Sequence, residues 1–317
     1  MSGRAPHTPD FGLFTSLRYD IQLLDVKENT ALSGNGEPSP FYNVIFHYER
    51  LVEALDHFGW RFIDSARGEG TYPQTFEPIS TTEKFRKRLE EDVNGYFAAR
   101  SDIKPNTPLR LRPVLHHTAE FIIEITPTPP VTLQNLFPSS PLPSPSTLVG
   151  DSTGGSPLFN IAMPYTVVLD TQSTTPSSYT SHKTTARPHY DAARQRVGLD
   201  GAKSNQKFEF DPENTEVLVW NHERQIMEGS RTNVYFYRPL TTEPSTVAED
   251  RKYNEDGHEW VTPTLGTGCL VGTGRRWLLG QHMVGERDVT VEEVKDGEIV
   301  LLSNGVRGVW AGKICLV

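Results

Sequence analysis

The feature that most limits how this chain can fold is a break in composition near its middle. The run TPTPPVTLQNLFPSSPLPSPSTLVGDSTGGSP, Thr126 to Pro157, is rich in Pro, Ser, Thr and Gly. Proline lacks the N–H that helices and sheet ladders use, and a polar run has little apolar surface to bury. By composition such a stretch builds no packed core, and it is long for a connection inside one compact domain. It predicts a linker or mobile loop over residues 128–158, between a small domain at 1–127 and a larger one at 159–317.

The two flanks differ in pattern. FGLFTSLRYDIQLLD, Phe11 to Asp25, reads as strands around a turn. Val44, Tyr48, Leu51, Leu55 and Phe58 follow a 4-3-4-3 spacing that places them on one helix face, with Gly59 as a stop. Phe85, Leu89, Val93 and Tyr96 form a second such stripe within Thr82 to Ala99, and LRLRPVL and EFIIEI follow as strand-like runs. Beyond the break come the short runs MPYTVVLD, EVLVW, NVYFYR and EIVLLSN, with few helices. The pattern predicts an α+β chain: a small α+β N-terminal domain and a larger, β-barrel-like C-terminal domain.

Charge narrows the partners. The chain has 40 acidic residues against 31 Lys plus Arg, which argues against a nucleic-acid binder. No run resembles a signal peptide or is long and apolar enough to span a bilayer, so a cytoplasmic protein without a membrane partner is expected. Two cysteines, Cys269 and Cys315, make neither a disulfide framework nor a cysteine metal site, and no metal is expected.

Four segments carry side chains with chemistry. HYERL holds Arg50 beside the first helix stripe. SHKTTARPHYDAARQRVG holds Lys183 where a polar run meets a helix, with Pro188 in the first turn, Tyr190, Ala193 and Val197 on one face, and Gly198 at the end. QIMEGSRTNVYF holds Glu228, with Asn233 five residues later at a strand start. GCLVGTGRRWLL sets Gly272-Thr273-Gly274 before a short helix around Arg275 to Leu279. Singly, each has a plainer reading. Lys183 reads as a solvated surface charge, Arg50 as an arginine laying its stem along the core, and Glu228 as an exposed turn residue. The glycines read as an ordinary turn, and so does Asn304 before Gly305.

Taken in order, the H-x-x-R-L pattern, the lysine, E-x-x-x-x-N and the glycine turn resemble the class IV aminotransferase family. These are pyridoxal-phosphate enzymes, also called fold type IV; they include branched-chain aminotransferases, D-amino-acid transaminases and 4-amino-4-deoxychorismate lyases. The resemblance runs from about Phe11 to the C-terminus, outside the Pro/Ser-rich stretch. It implies a pyridoxal 5′-phosphate cofactor, with Lys183 condensing with its aldehyde and then serving as general acid and base. It implies Glu228 beside the pyridine nitrogen, and Arg50, Thr273 and Gly274 at the phosphate, with Asn233 and Asn304 as further cofactor residues. It implies a homodimer acting on a small-molecule substrate. Two positions depart from the pattern: Ala186 stands where the family often has Asn, and Gly274 where a bulkier residue is usual.

Within the family, FTSLR resembles the F-T-T-x-R of the lyase more than the F-E-G-x-R of branched-chain transaminases. It puts the Ser16 hydroxyl where a proton has to reach the leaving enolpyruvyl group; the alternative is a structural strand-end serine. The lyase's glycine- and arginine-rich substrate loop is not evident after LRLRPVL, and Arg112-Pro113 resembles the transaminase side. The expected reaction is conversion of 4-amino-4-deoxychorismate to 4-aminobenzoate and pyruvate. The alternative is amino transfer to a keto acid from a branched-chain, D-amino-acid or R-amine donor. Arg112 and Arg307 are the candidate substrate-carboxylate anchors, each also readable as a surface arginine.

Overall fold

The protein is described from a computed structural model, over residues 11–60, 62–64, 69–71, 79–118, 120–149, 165–199, 210–240, 254 and 256–316. Residues 150–158 of the Pro/Ser-rich stretch, and 159–164 after it, lie outside the described residues. The chain divides into two compact units. One is Met1–Pro130 with His182–Ala186, and the other is Val131–Ser181 with Arg187–Val317.

The first unit runs β1 (Gly12–Phe14), β2 (Leu17–Tyr19), α1 (Lys27–Ala31), α2 (Val44–His57), β3 (Phe62–Asp64), β4 (Glu69–Thr71), α3 (Thr82–Ala98), β5 (Leu109–His116) and β6 (Phe121–Pro127). Strand β5 is the axis of its sheet. It pairs antiparallel with β1 through Phe14↔Val114, with β2 through Leu17↔Leu111, and with β6 on its other edge. The two predicted helix stripes supply the core: Val44, Leu51 and Leu55 from α2, and Phe85, Leu89 and Val93 from α3, pack with Leu13, Leu17, Leu109 and Leu111. Each such side chain removed from water contributes about 1.5–3 kcal/mol. Thr81 caps α3 by accepting from the Lys84 N–H, and Gly59, at φ +66, takes the left-handed conformation that ends α2.

The second unit runs α4 (Leu133–Leu136), α5 (Pro145–Val149), β7 (Tyr165–Leu169), α6 (Ser178–Ser181), α7 (Pro188–Arg196), β8 (Thr215–Trp220), β9 (Ile226–Gly229), β10 (Asn233–Pro239), β11 (His258–Thr262), α8 (Thr273–Gly280), β12 (Gly285–Glu286), β13 (Ile299–Asn304) and β14 (Gly308–Cys315). Eight strands form one curled, half-barrel sheet in the order β12-β11-β10-β13-β14-β7-β8-β9. Pro188 opens α7, and Tyr190, Ala193 and Val197 bury against Val217, Val219, Met227 and Cys269. This is the barrel-like domain that the short strands predict.

The Pro/Ser-rich stretch differs from the composition-based expectation that it packs nothing. It contributes α4 and α5, and Leu136, Leu142 and Leu148 are buried. The Trp260 indole N–H donates to the Pro143 carbonyl at 3.0 Å. A few leucines between prolines suffice, because prolines pre-set the backbone and reduce the entropy lost on docking. Among the described residues no helix is long and apolar enough to cross a membrane.

Candidate functional site

The singled-out residues fall into two sets, one in each unit. In the first, Lys183 rides on a five-residue segment that pairs with β1. The Phe14 N–H donates to the Lys183 carbonyl at 3.0 Å, the Thr185 N–H to the Gly12 carbonyl at 2.8 Å, and the Gly12 N–H to Thr185 Oγ1 at 2.8 Å. Backbone pairing thus fixes the base of the lysine side chain. Its Nζ lies 5.0 Å from the centre of the Phe14 ring, which also carries the Arg112 guanidinium at 4.4 Å. Lys183 is half-buried, not a freely solvated charge.

Arg50 and His47 stand three residues apart on α2, on one helix face, and both are buried. The Arg50 guanidinium donates to the hydroxyl oxygen of Thr15, which leaves the Thr15 proton for His47 Nδ1, 2.6 Å away. That order places the imidazole's own proton on Nε2, a buried atom without a hydrogen-bond partner among the described residues. Burial, then the positive charges of Arg50 and Lys183, push the His47 pKa well below its ordinary value. The ring stays neutral and Nε2–H remains an unspent donor.

In the second unit, Glu228 is buried on β9 and accepts a short hydrogen bond from the Tyr190 hydroxyl of α7. Burial and the Glu228 charge raise the Tyr190 pKa well above the ordinary phenol value, so the hydroxyl stays a donor. Behind Glu228, the buried Glu216 carboxylate accepts from Ser230 Oγ at 2.6 Å and from the N–H groups of Val217 and Arg231 at 2.8 and 3.2 Å. Gly229 permits this packing, since a Cβ there would sit 2.8 Å from Glu216 Cγ.

Gly272 is the N-cap of α8 and offers no side chain to the first-turn N–H groups. Thr273 Oγ1, at the start of that helix, is buried without a hydrogen-bond partner among the described residues. A Cβ on Gly274 would press on Ser303 Oγ at 3.1 Å, which accounts for the small residue where the family has a bulkier one. Ser303 Oγ in turn hydrogen-bonds the Tyr235 hydroxyl at 2.8 Å. The Asn233 carboxamide lies against Gly272 and donates to the Leu270 carbonyl at 2.9 Å, so it holds the loop that leads into α8.

Other singled-out residues have structural partners. Asn304 Oδ1 accepts from the N–H groups of Val306 and Arg307 at 3.0 and 2.8 Å, shaping the β13–β14 turn. Arg307 lies 5.2 Å over the Tyr165 ring and 5.4 Å over the Trp310 ring. Arg112 pairs with Glu124 at 2.6 Å. Ser16 is half-buried between β1 and β2, and the hydroxyl joined to Arg50 and His47 belongs to its neighbour Thr15.

The sequence assigns no site role to Thr15, Tyr190 or Glu216, and gives His47 only as part of the H-x-x-R-L pattern. The three-residue offset of His47 from Arg50 was a readable signal. Tyr190 was read as one more member of an apolar stripe. Nothing local marks Thr15 above Ser16, or a buried Glu216 above an exposed one.

The family model described as amino-transferase class IV matches residues 30–315. The aminodeoxychorismate lyase of Saccharomyces cerevisiae is 31% identical over 208 residues, which are 65% of this chain and 51% of that protein. A Schizosaccharomyces pombe protein, provisionally described as an aminodeoxychorismate lyase, is 30% identical over 158 residues, 48% of this chain and 56% of its own length. The chain thus spans about half the length of these relatives. In fold, it is similar to a Mesorhizobium loti protein provisionally described as an amino-acid aminotransferase, with a TM-score of 0.55, 19% identity, and 96% of this chain and 100% of that chain covered.

Proposed function

Because the chain belongs to the class IV aminotransferases, a family of pyridoxal-phosphate-dependent enzymes, we propose that it is a 4-amino-4-deoxychorismate lyase forming 4-aminobenzoate and pyruvate. The observation that carries this reading is the hydroxyl-bearing turn Thr15-Ser16 of FTSLR, which by the family resemblance stands where branched-chain transaminases have Glu and Gly. The similarity to the yeast lyase supports it.

The residues present fit the cofactor. Each unit by itself offers groups that suit a phosphate dianion: in the first, the buried Arg50 and the His47 Nε2–H; in the second, the uncapped start of α8 with the buried Thr273 hydroxyl. A protonated pyridine nitrogen suits a buried carboxylate, and Glu228 is one. Asn233 and Asn304 act through the backbone they hold, the first at the loop before α8 and the second at the β13–β14 turn. When bound, the cofactor supplies an electron sink for the pair released as a C–H bond breaks.

The chain's own groups then have defined tasks. The Lys183 amine takes the proton from the substrate carbon that bears the amino group. The Ser16 hydroxyl delivers a proton to the enolpyruvyl group as its ether C–O bond breaks and the ring becomes aromatic. One proton leaves and one arrives, so pyruvate and 4-aminobenzoate account for every atom of the substrate without an oxidant or water. Arg307, in the second unit, holds a substrate carboxylate; Arg112, in the first, is already paired with Glu124 and is the weaker candidate. A homodimer forms part of this proposal and comes from the family resemblance.

The test is to supply the purified protein with 4-amino-4-deoxychorismate and no keto acid. Equal amounts of 4-aminobenzoate and pyruvate are expected. Borohydride reduction of the loaded protein should leave the modification on Lys183. Amino transfer to a keto acid from branched-chain, D-amino-acid or R-amine donors, with no pyruvate released, would replace the lyase with an aminotransferase.

A further inference from the structure

The start of the Pro/Ser-rich stretch touches two pieces of the proposed site in the second unit. Asn135 sits in a capping box, where its Oδ1 accepts from the Thr132 N–H at 3.2 Å and the Thr132 hydroxyl at 2.8 Å. Its Nδ2 donates to the Val309 carbonyl at 2.8 Å, at the start of β14. The Asn135 backbone lies over Gly308, which has φ +75; a Cβ there would stand 2.6 Å from the Asn135 carbonyl carbon and 2.9 Å from Leu136 Cα. Position 308 is therefore closed to a side chain by both conformation and contact. Leu136 is fully buried, and the Phe137 ring meets Trp277 edge-on at 5.3 Å. Trp277 lies on α8, four residues after Thr273.

We propose that Thr132–Phe137 is a clamp that sets the β13–β14 turn, and with it Arg307, against α8, and that Asn135 is its positioning residue. The inference rests on reading Arg307 as the substrate-carboxylate anchor. Among the described residues no carboxylate pairs with Arg307, whose guanidinium is held by two aromatic rings. Its backbone is pinned from inside the turn by Asn304 and from outside by the grip of Asn135 on Val309. Guanidinium–carboxylate pairing is directional, so a small displacement of the turn weakens recognition of any carboxylate substrate without touching the proton-transferring groups.

The experiment uses whichever carboxylate substrate the holoenzyme turns over. Asn135→Asp keeps the acceptor that caps α4 but lacks the donor to Val309. We expect its KM to rise about five- to tenfold with kcat within about twofold, alongside a modest drop in melting temperature from the lost hydrogen bond. Gly308→Ala, which pushes the turn off the clamp, should shift KM in the same direction. Phe137→Ala should weaken cofactor binding to the apoprotein, read by absorbance titration. Arg307→Ala is the control and should raise KM at least as much as Asn135→Asp. If Arg307→Ala raises KM and Asn135→Asp and Gly308→Ala do not, the clamp is wrong while the anchor stands. If Arg307→Ala leaves KM unchanged, the anchor is wrong and the clamp loses its purpose.

Discussion

Replacing Gly272 by alanine isolates one contact of the site. At φ −73 and ψ 150 the backbone there suits any residue, so conformation does not demand glycine. Space does: an added Cβ would collide with Oδ1 of Asn233 and stand 3.0 Å from its Cγ. The carboxamide has to swing away and give up its 2.9 Å bond to the Leu270 carbonyl. A buried amide left unpaired costs about 1–3 kcal/mol, and a side chain forced off its rotamer about 1 kcal/mol more. Gly272→Ala should therefore destabilise the second unit by about 2–4 kcal/mol. In an Asn233→Ala background the obstacle is gone, and glycine-to-alanine at a permitted conformation is neutral or stabilising by up to about 1 kcal/mol. The two changes should couple by about 3 kcal/mol in a double-mutant cycle read by urea denaturation with tryptophan fluorescence. The same cost for Gly272→Ala in both backgrounds would refute the reasoning and move the demand for glycine onto the backbone or a bound phosphate.

Thr15→Val keeps the shape of the side chain but strips a partner from the Arg50 guanidinium and another from His47 Nδ1; thermal unfolding should register a loss of about 2–4 kcal/mol. A change below about 0.5 kcal/mol would mean that this hydroxyl organises nothing. Acid should destabilise the protein through the buried His47 and the half-buried His189. The His47 pKa lies well below the ordinary 6.5, and burial and the Arg187 charge lower His189 to about 4. The folded state then binds fewer protons than the unfolded one, so stability is full above pH 6.5 and falls as pH drops toward 4; His189→Gln should flatten that fall in a melting-temperature series. Ser16→Ala should slow pyruvate release by about two to four orders of magnitude without loss of cofactor absorbance, and Ser16→Thr should retain activity. Wild-type pyruvate release by Ser16→Ala would remove Ser16 from the proton path and leave Thr15 as the hydroxyl to test.

The sequence alone determined what depends on near neighbours. The stripes Val44-Leu51-Leu55 and Phe85-Leu89-Val93 specify α2 and α3 because residues three and four apart share a helix face, whatever the rest of the chain does. Pro188 and Gly198 likewise bracket the helix after Lys183, and the order of four short segments points to the family that the match over residues 30–315 identifies. Tertiary structure decided which polar group meets which. Thr15 and Ser16 are adjacent hydroxyls on one turn, and only the docking of α2 brings His47 and Arg50 to the first of them. Tyr190 looks apolar by spacing until β9 brings Glu228 to its hydroxyl. Gly272 and Asn233 answer each other across 39 residues, and the Pro/Ser-rich stretch looks coreless until Gly308, more than 170 residues beyond Asn135, leaves room for it. Local periodicity is a property of the backbone and can be read from composition and spacing. A hydrogen bond between distant residues exists only after the chain has closed the loop between them, and its partner is chosen by the shape of that closure.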